Sequence, residues 1–273
     1  MKLLDFKTTQ SSIIKILIEA LKEMIVEANI EFSSESVRIT KMDNTNTICV
    51  ILELDTENFK ESGHYHCSNS KESPLVVGVS IVYLYRLLKG IDNDDILSFT
   101  VSEDNRNVLD IKIENSAKAS VKKLSLNLIE INEENLNFPE VDFDTIITYN
   151  SSCFQKIIKE MNNLRIKYVD ITSYNKQLIF SGTGEITNYY EDTVDEDLQN
   201  ENNIVPVIKF QVNSENTICQ GEYQTSQLMS ITKFTNLSNV VTLKMKNDVP
   251  LFINYSVGSL GKITILIAPR AEN

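Results

Sequence analysis

The sequence has no tryptophan, only two histidines and only four cysteines, and these shortages exclude several kinds of chemistry together. With so little imidazole, no serine or cysteine finds a convincing set of catalytic partners, so no catalytic residue is assigned. Cys49, Cys67, Cys153 and Cys219 are scattered without a CxxC pair. That argues against a zinc ribbon or a disulfide framework and for buried, reduced thiols. The sharpest metal candidate is GHYHCS, residues 63–68, where His64 and His66 would share one face of a strand, with Cys67 next to them. Zinc would need a further ligand from elsewhere, and neither HExxH nor CxxC is present, so an ordinary strand is expected and no metal. SGTGE at 181–185 offers two glycines but neither a P-loop lysine nor a full G-x-G-x-x-G. It reads as a tight strand connection, and no cofactor is expected.

Long hydrophobic runs are also missing. The longest, such as Ile263 to Ala268, fall far short of a bilayer's thickness, so no membrane partner is expected. The opening MKLLDFKTTQ has no apolar stretch of signal-peptide length, which leads to the expectation of an intracellular protein. Positive charge is scarce too: 26 lysines and arginines face 38 acids, a net charge of −12. Taken alone, that balance opposes a nucleic-acid partner, because binding a polyanion rests on neutralising its phosphates. The sum hides the distribution, so what matters is whether the cations are gathered on one surface.

What is present is ordinary globular material. In 273 residues, 42% are hydrophobic and 23% charged, enough for one large core or two medium ones. Hydrophobic periodicity gives a recurring order of strand, helix and about three strands. Helical spacing covers Ser12 to Glu27, Ser80 to Gly90, Ser152 to Asn163 and, most weakly, Thr225 to Phe234. Ser152 and Gln155 stand at capping-box spacing. Alternating or β-branched runs follow each helix, and the helix starts recur about every seventy residues. SSIIKIL in the first helix is echoed by SSCFQKIIKEM in the third. The expected architecture is therefore α+β, a βαβββ unit duplicated within each of two domains. INEENLNFPEVDF, residues 131–143, is acidic, contains Pro139 and has no sustained period. It divides the chain into domains at 1–130 and 144–273. EDTVDEDLQNEN, residues 191–202, reads as a solvated acidic loop.

Opposite the apolar stripes the helices carry cations: Lys15 and Lys22, Arg86 and Lys89, Lys156 and Lys159, and Lys233. Spacings of three or seven place each pair on one helix face. A lone exterior lysine means only solvation, but one face recurring in four related units carries more weight. Set around a common axis, such units would give an acidic protein a cationic inner wall, suited to sequence-independent phosphate contact.

These residues resemble the proliferating cell nuclear antigen family, the eukaryotic DNA sliding clamps. EALKEMIVEANIEFSSESVRITKMD (19–43), GVSIVYLYRLLKG (78–90), LNFPE (136–140), FSGTGE (180–185), VTLKMKNDVPLFINY (241–255) and IAPR (267–270) occur in family order. The resemblance implies the DNA-clamp fold, with antiparallel sheets outside and helices inside a trimeric ring. It implies a non-catalytic processivity factor for replication and repair, working in the nucleus or at a viral replication site. The implied partners are double-stranded DNA, two further copies of the chain, a clamp loader, and DNA polymerase with other clamp-binding-motif proteins. Ring closure would join edge strands near Ala119 to Leu128 and Gly184 to Tyr190.

The family's DNA-facing cations map onto Lys15, Lys22, Arg86, Lys89, Lys156, Lys159 and Lys233, while one family arginine is replaced by Ser226. The client-peptide pocket maps onto Met42, Asn46, Thr47, Cys49, Leu136, Phe138, Pro250, Leu266, Ala268 and Pro269. Asn46 stands for a histidine, Thr47 for a valine and Leu266 for an aromatic, so client preference should differ. The usual modified lysine is replaced by Asn175, beside Lys176. A subunit of a heteromeric checkpoint ring, or a monomeric viral clamp-like transcription factor, is the alternative on the same fold.

Overall fold

The computed structural model describes residues 1–43, 45–132, 136, 138–194, 208–214 and 217–270. Its chain forms two compact units. The first comprises Met1–Asn44, Val50–Leu136 and Ser256–Ile263; the second comprises Thr45–Cys49, Asn137–Tyr255 and Thr264–Asn273.

In the first unit the order is β1 (Lys2–Thr8), α1 (Ser11–Leu21), β2 (Glu27–Phe32), β3 (Ser36–Met42) and β4 (Ile48–Asp55), whose first two residues belong to the second unit. A short α2 (Thr56–Ser62) and β5 (Gly63–Cys67) come next. The pattern then repeats as β6 (Leu75–Ser80), α3 (Ile81–Leu88), β7 (Ile96–Ser102), β8 (Asn105–Asn115) and β9 (Ser120–Asn127). One sheet has the order β5-β1-β7-β8-β9, and β4-β3-β2-β6 lie side by side in another.

The second unit writes the same unit twice more. It begins with β10 (Thr145–Asn150), α4 (Ser151–Asn163), β11 (Tyr168–Tyr174), β12 (Gln177–Thr183), β13 (Asn188–Val194) and β14 (Ile208–Val212). It ends with β15 (Cys219–Gln224), α5 (Thr225–Ile231), a 3-10 turn at Thr232–Asn236, β16 (Val240–Met245), β17 (Leu251–Val257) and β18 (Gly261–Ile267), the last two residues of β17 and the first three of β18 belonging to the first unit. Its strands run β13-β12-β11-β15 in one sheet and β14-β10-β16-β17-β18 in the other. All the recorded strand pairings are antiparallel.

Each helix buries one stripe. In α4 these are Phe154, Ile157, Ile158 and Met161, at spacings that line one face of a 3.6-residue helix. α1 buries Ile14, Leu17, Ile18 and Leu21 and packs against α3; α4 packs against α5. The duplication extends to a side-chain tie. Ser11 Oγ donates to the Asp95 carbonyl (2.6 Å), just before β7. Its counterpart Ser151 donates to the Ser238 carbonyl, just before β16.

Four expectations are corrected. α1 ends at Leu21, not Glu27, because the buried Ile25 is reached through a turn and the β-branched Val26 leads into β2. The helical period carried on because Ile25 is still core. The α4 cap is Asn150, whose side chain accepts from the amides of Ser152 and Cys153 (2.9 and 3.1 Å). Gln155 instead donates to the Thr232 carbonyl (2.8 Å), so no capping box forms. The fourth helix is divided, with α5 stopping at Ile231 and the 3-10 turn carrying Lys233. Glu191–Val194 belong to β13 rather than to a loop; the remainder of that acidic stretch, 195–202, lies outside the described residues.

Of the linker, residues 131, 132, 136 and 138–143 are described and lie outside any strand or helix. Its start is tied to the first unit: Ile129 N–H donates to the Gly78 carbonyl (2.9 Å) and the Asn29 amide to the Ile131 carbonyl (3.0 Å). Position 78 must be glycine for this approach, since a Cβ there would stand 2.0 Å from the Ile129 oxygen. Its end is tied to the second unit, where Phe143 packs edge-on against Phe252 at 4.9 Å.

Candidate nucleic-acid interface and peptide pocket

On the first unit, α1 and α3 lie together and their cations are braced by neighbours. Lys15 Nζ donates to the Ile91 carbonyl at 2.8 Å. Lys22 is the C-cap of α1 rather than an interior residue; it pairs with Glu23 and lies 4.9 Å from the Tyr85 ring centre. The Glu23 hydrogen bond raises the Lys22 pKa, so its charge is secure at neutral pH. Tyr85 in turn donates to Glu19 (2.9 Å), a bond that raises the phenol's pKa. Arg86 lies 4.9 Å over the Tyr83 ring, and Lys89 is the exposed C-cap of α3. Both cations at helix C-caps also answer the partial negative charge of the helix end.

A further cationic cluster escaped sequence reading. Lys118 pairs with Asp92, and the charges of Lys15 and Lys122 also bear on that carboxylate. The Lys118 hydrogen bond is the main cause holding Asp92 below its usual pKa. These residues lie far apart in sequence, so only the packing of β9 beside α3 could reveal them.

On the second unit, α4 presents Lys156 and Lys159 on its exposed face. Lys156 approaches Glu160 at 3.8 Å, and Lys159 donates to Gln155 at 2.8 Å. Lys233 is exposed in the 3-10 turn. Ser226 is exposed near the start of α5. It shares a hollow of about 500 Å³ with Arg165 and Lys167, two exposed cations that the helix spacing did not pick out. Arg165 takes a left-handed backbone (φ 57°) directly after α4.

The ten pocket candidates differ in accessibility. Cys49 and Leu266 are buried (3% and 4% exposed), and burial pushes the Cys49 thiol up to about 11, keeping it protonated. Leu136 and Phe138 are exposed large apolar residues (36% and 40%), and Pro269 is exposed as well. Met42, Pro250 and Ala268 are half-buried. Thr47 joins two segments of the second unit: its carbonyl accepts from Ala268 N–H (2.9 Å) and its hydroxyl from Gln227 Nε2 (2.6 Å). Gln227 lies 180 positions away, and no sequence signal could have named it. Asn46, before it, takes a left-handed φ of 54°, a conformation asparagine tolerates better than most residues.

The remaining candidates resolve simply. His64 and His66 share the exposed face of β5, while Cys67 is on the buried face and its thiol donates to the Phe32 carbonyl (3.5 Å). Among the described residues no three His, Cys, Asp or Glu side chains gather as metal ligands. SGTG continues β12 through Gly182 and Thr183 and turns at Gly184, whose N–H donates to the Thr187 carbonyl (2.7 Å). The four cysteines are free, three of them buried and Cys153 half-buried.

Comparison with known proteins agrees with this arrangement. Residues 3–136 match the family model for the proliferating cell nuclear antigen N-terminal domain, and residues 137–270 match the one for its C-terminal domain. A protein of Paramecium bursaria Chlorella virus 1, named "Probable DNA polymerase sliding clamp 1", is 28% identical over 98% of this chain and 97% of its own. The crystal structure of Proliferating Cellular Nuclear Antigen from Entamoeba histolytica superposes with a TM-score of 0.85, at 21% identity, over 99% of this chain and all of that one. The fold is that of the DNA clamps, and the chain belongs to the proliferating cell nuclear antigen family.

Proposed function

We propose that this chain forms a homotrimeric sliding clamp that encircles duplex DNA without sequence preference and tethers a DNA polymerase, with no catalytic activity of its own. The observation that carries the reading is the doubled helix pair. In an acidic protein, the paired helices α1 and α3 carry cations, and so do α4 and the 3-10 turn that follows its partner α5. Lys15, Lys22, Arg86, Lys89, Lys156, Lys159 and Lys233 are the DNA-facing set, joined by Arg165 and Lys167 beside Ser226. Mobile contacts to phosphates hold the duplex while permitting sliding, because none of them reads a base.

The viral sliding clamp among the relatives supports a role in replication, at a nuclear or viral replication site. Residues 131–143 act as the connection between domains 1–130 and 144–273. Its exposed Leu136 and Phe138, with Pro269, offer apolar surface to the plug of a clamp-binding motif. Met42, Asn46, Thr47, Cys49, Pro250, Leu266 and Ala268 make up the rest of that client site. A clamp loader opens the ring.

Light scattering on the eluted protein tests assembly, with the mass of three chains expected and a stable monomer counting against the reading. Loading onto nicked circular DNA tests function: the clamp should remain on the circle and leave after linearisation. Retention on linear DNA with free ends would overturn encirclement.

A further inference from the structure

Among the strands that end a sheet, β9 closes one side of the five-stranded sheet and β13 one side of the four-stranded one, neither with a further neighbour among the described residues. Such edges expose unpaired backbone donors and acceptors and invite another chain. These two differ in charge. β9 reads SVKKLSLN, with two lysines and no acid; β13 reads NYYEDTV, with two acids and no base. The resemblance located the second edge at Gly184 to Tyr190, but the strand begins at Asn188 and runs to Val194, which brings Glu191 and Asp192 onto it.

The register sorts these charges by face. Lys122 stands opposite the buried Ile113 and Lys123 opposite Lys112, so Lys122 is on the core side and Lys123 on the outer side. Glu191 stands opposite the buried Phe180 and Asp192 opposite Ile179, which gives Glu191 the core side and Asp192 the outer side. Each edge also shows an exposed apolar residue, Val121 (56%) on β9 and Tyr190 (67%) on β13. Within the protomer the β13 acids have neutral hydrogen-bond donors, Tyr189 for Glu191 and Gln177 for Asp192. Lys123 meets a like charge in Lys112, which itself pairs with Glu114 at 2.8 Å.

We infer that charge specifies ring closure: the lysine edge β9 of one copy takes the acidic edge β13 of the next, bringing Lys122 near Glu191 on the core side and Lys123 near Asp192 on the outer side, one pair directly opposite and the other diagonal in an antiparallel ladder. The inference rests on the ring reading and adds to it what selects the partner. Side chains on one face of a strand stay on that face when the sheet is extended, so cation meets anion on both faces. Joining β9 to β9, or β13 to β13, would place like charges together, which excludes the two-fold pairings and leaves the head-to-tail one. The interface is then electrostatically gated, and salt weakens it.

Analytical ultracentrifugation of the full-length chain tests this. Between about 0.05 M and about 0.5 M NaCl the trimer's dissociation constant should rise on the order of tenfold. Lys122→Glu with Lys123→Glu, or Glu191→Lys with Asp192→Lys, should each give monomers at concentrations where the natural chain is trimeric. All four changes in one chain restore opposite charges and should recover the trimer, with circular dichroism confirming that every variant is folded. A natural chain that is monomeric throughout would defeat the ring reading itself. A natural trimer indifferent to salt and to either reversal would overturn the charge rule and leave the ring intact, as would a folded fourfold variant that stays monomeric.

Discussion

The two units share a topology but use it differently. In the first, the helix cations are held in place: Lys15 by a backbone carbonyl, Lys22 by Glu23 and Tyr85, Arg86 by Tyr83. In the second, the exposed Lys156 and Lys159 are tied only within α4, to Glu160 and Gln155, α5 is short, and Arg165 and Lys167 stand beside Ser226. The cores differ as well. Phe6, Phe59, Tyr65 and Phe99 form one aromatic cluster in the first unit, made possible by the inserted α2 and β5. The second unit has smaller groupings, Tyr149 and Phe154 about Phe180, and Phe234 with Tyr255. A duplicated frame keeps its buried stripe under strong constraint while its surface charge is free to diverge.

The largest expected effect lies in the aromatic cluster. Phe6→Ala removes a ring that contacts three others and should cost about 3–5 kcal/mol by denaturant unfolding. A loss under about 1 kcal/mol would show the cluster to be incidental.

Charge reversal on the helices comes next. Lys156→Glu with Lys159→Glu should cut clamp-dependent primer extension on the order of tenfold while moving stability by less than about 0.5 kcal/mol. Lys15→Glu with Lys22→Glu should lower both extension and stability, since these cations also hold structure. Equal stability losses in the two pairs would erase the distinction drawn between the units. Arg165→Glu with Lys167→Glu should impair extension too, and no effect would return Ser226 to an uncompensated gap.

Helix capping gives a smaller contrast. Asn150 caps α4, whereas the Gln10 side chain makes no cap bond to α1. Asn150→Ala should therefore destabilise by about 0.5–2 kcal/mol, and Gln10→Ala by much less, both read by thermal melting.

The smallest effect concerns Asp170. It stands exposed opposite Glu222 in the β11–β15 register, where partial desolvation, then the Glu222 charge, raises its pKa. The folded state thus holds this proton to higher pH than the unfolded chain does. Its contribution to stability falls as pH rises from the ordinary carboxylate value through the raised one. Asp170→Asn should slightly raise the melting temperature at pH 7, and the gain should vanish near pH 3. A lower melting temperature at pH 7 would refute the assignment.

Much of the fold was legible. The four helices showed as apolar stripes because a half-buried helix must repeat its hydrophobic residues at 3.6-residue spacing. Errors collected at element ends, where Ile25 kept the helical period through a turn and Asn150 replaced the expected Ser152 as cap. β5 and β14 fell outside the repeat because single short strands add little period. Lys15, Lys156 and Lys159, proposed to face DNA, could be placed on helices from spacing alone. The partners of Lys15 and Lys22 could not, since the Ile91 carbonyl and the Tyr85 ring act through packing of one helix on another.

Sequence alone determined the repeat, the positions of the buried stripes and the family resemblance. These are local or periodic properties, written in the order of apolar and polar residues. Tertiary structure decided which strands become sheet edges, that Lys122 and Lys123 stand on one and Glu191 and Asp192 on the other, and which cations share a surface. Charge works through space, so its neighbours are set only once distant segments have been folded together.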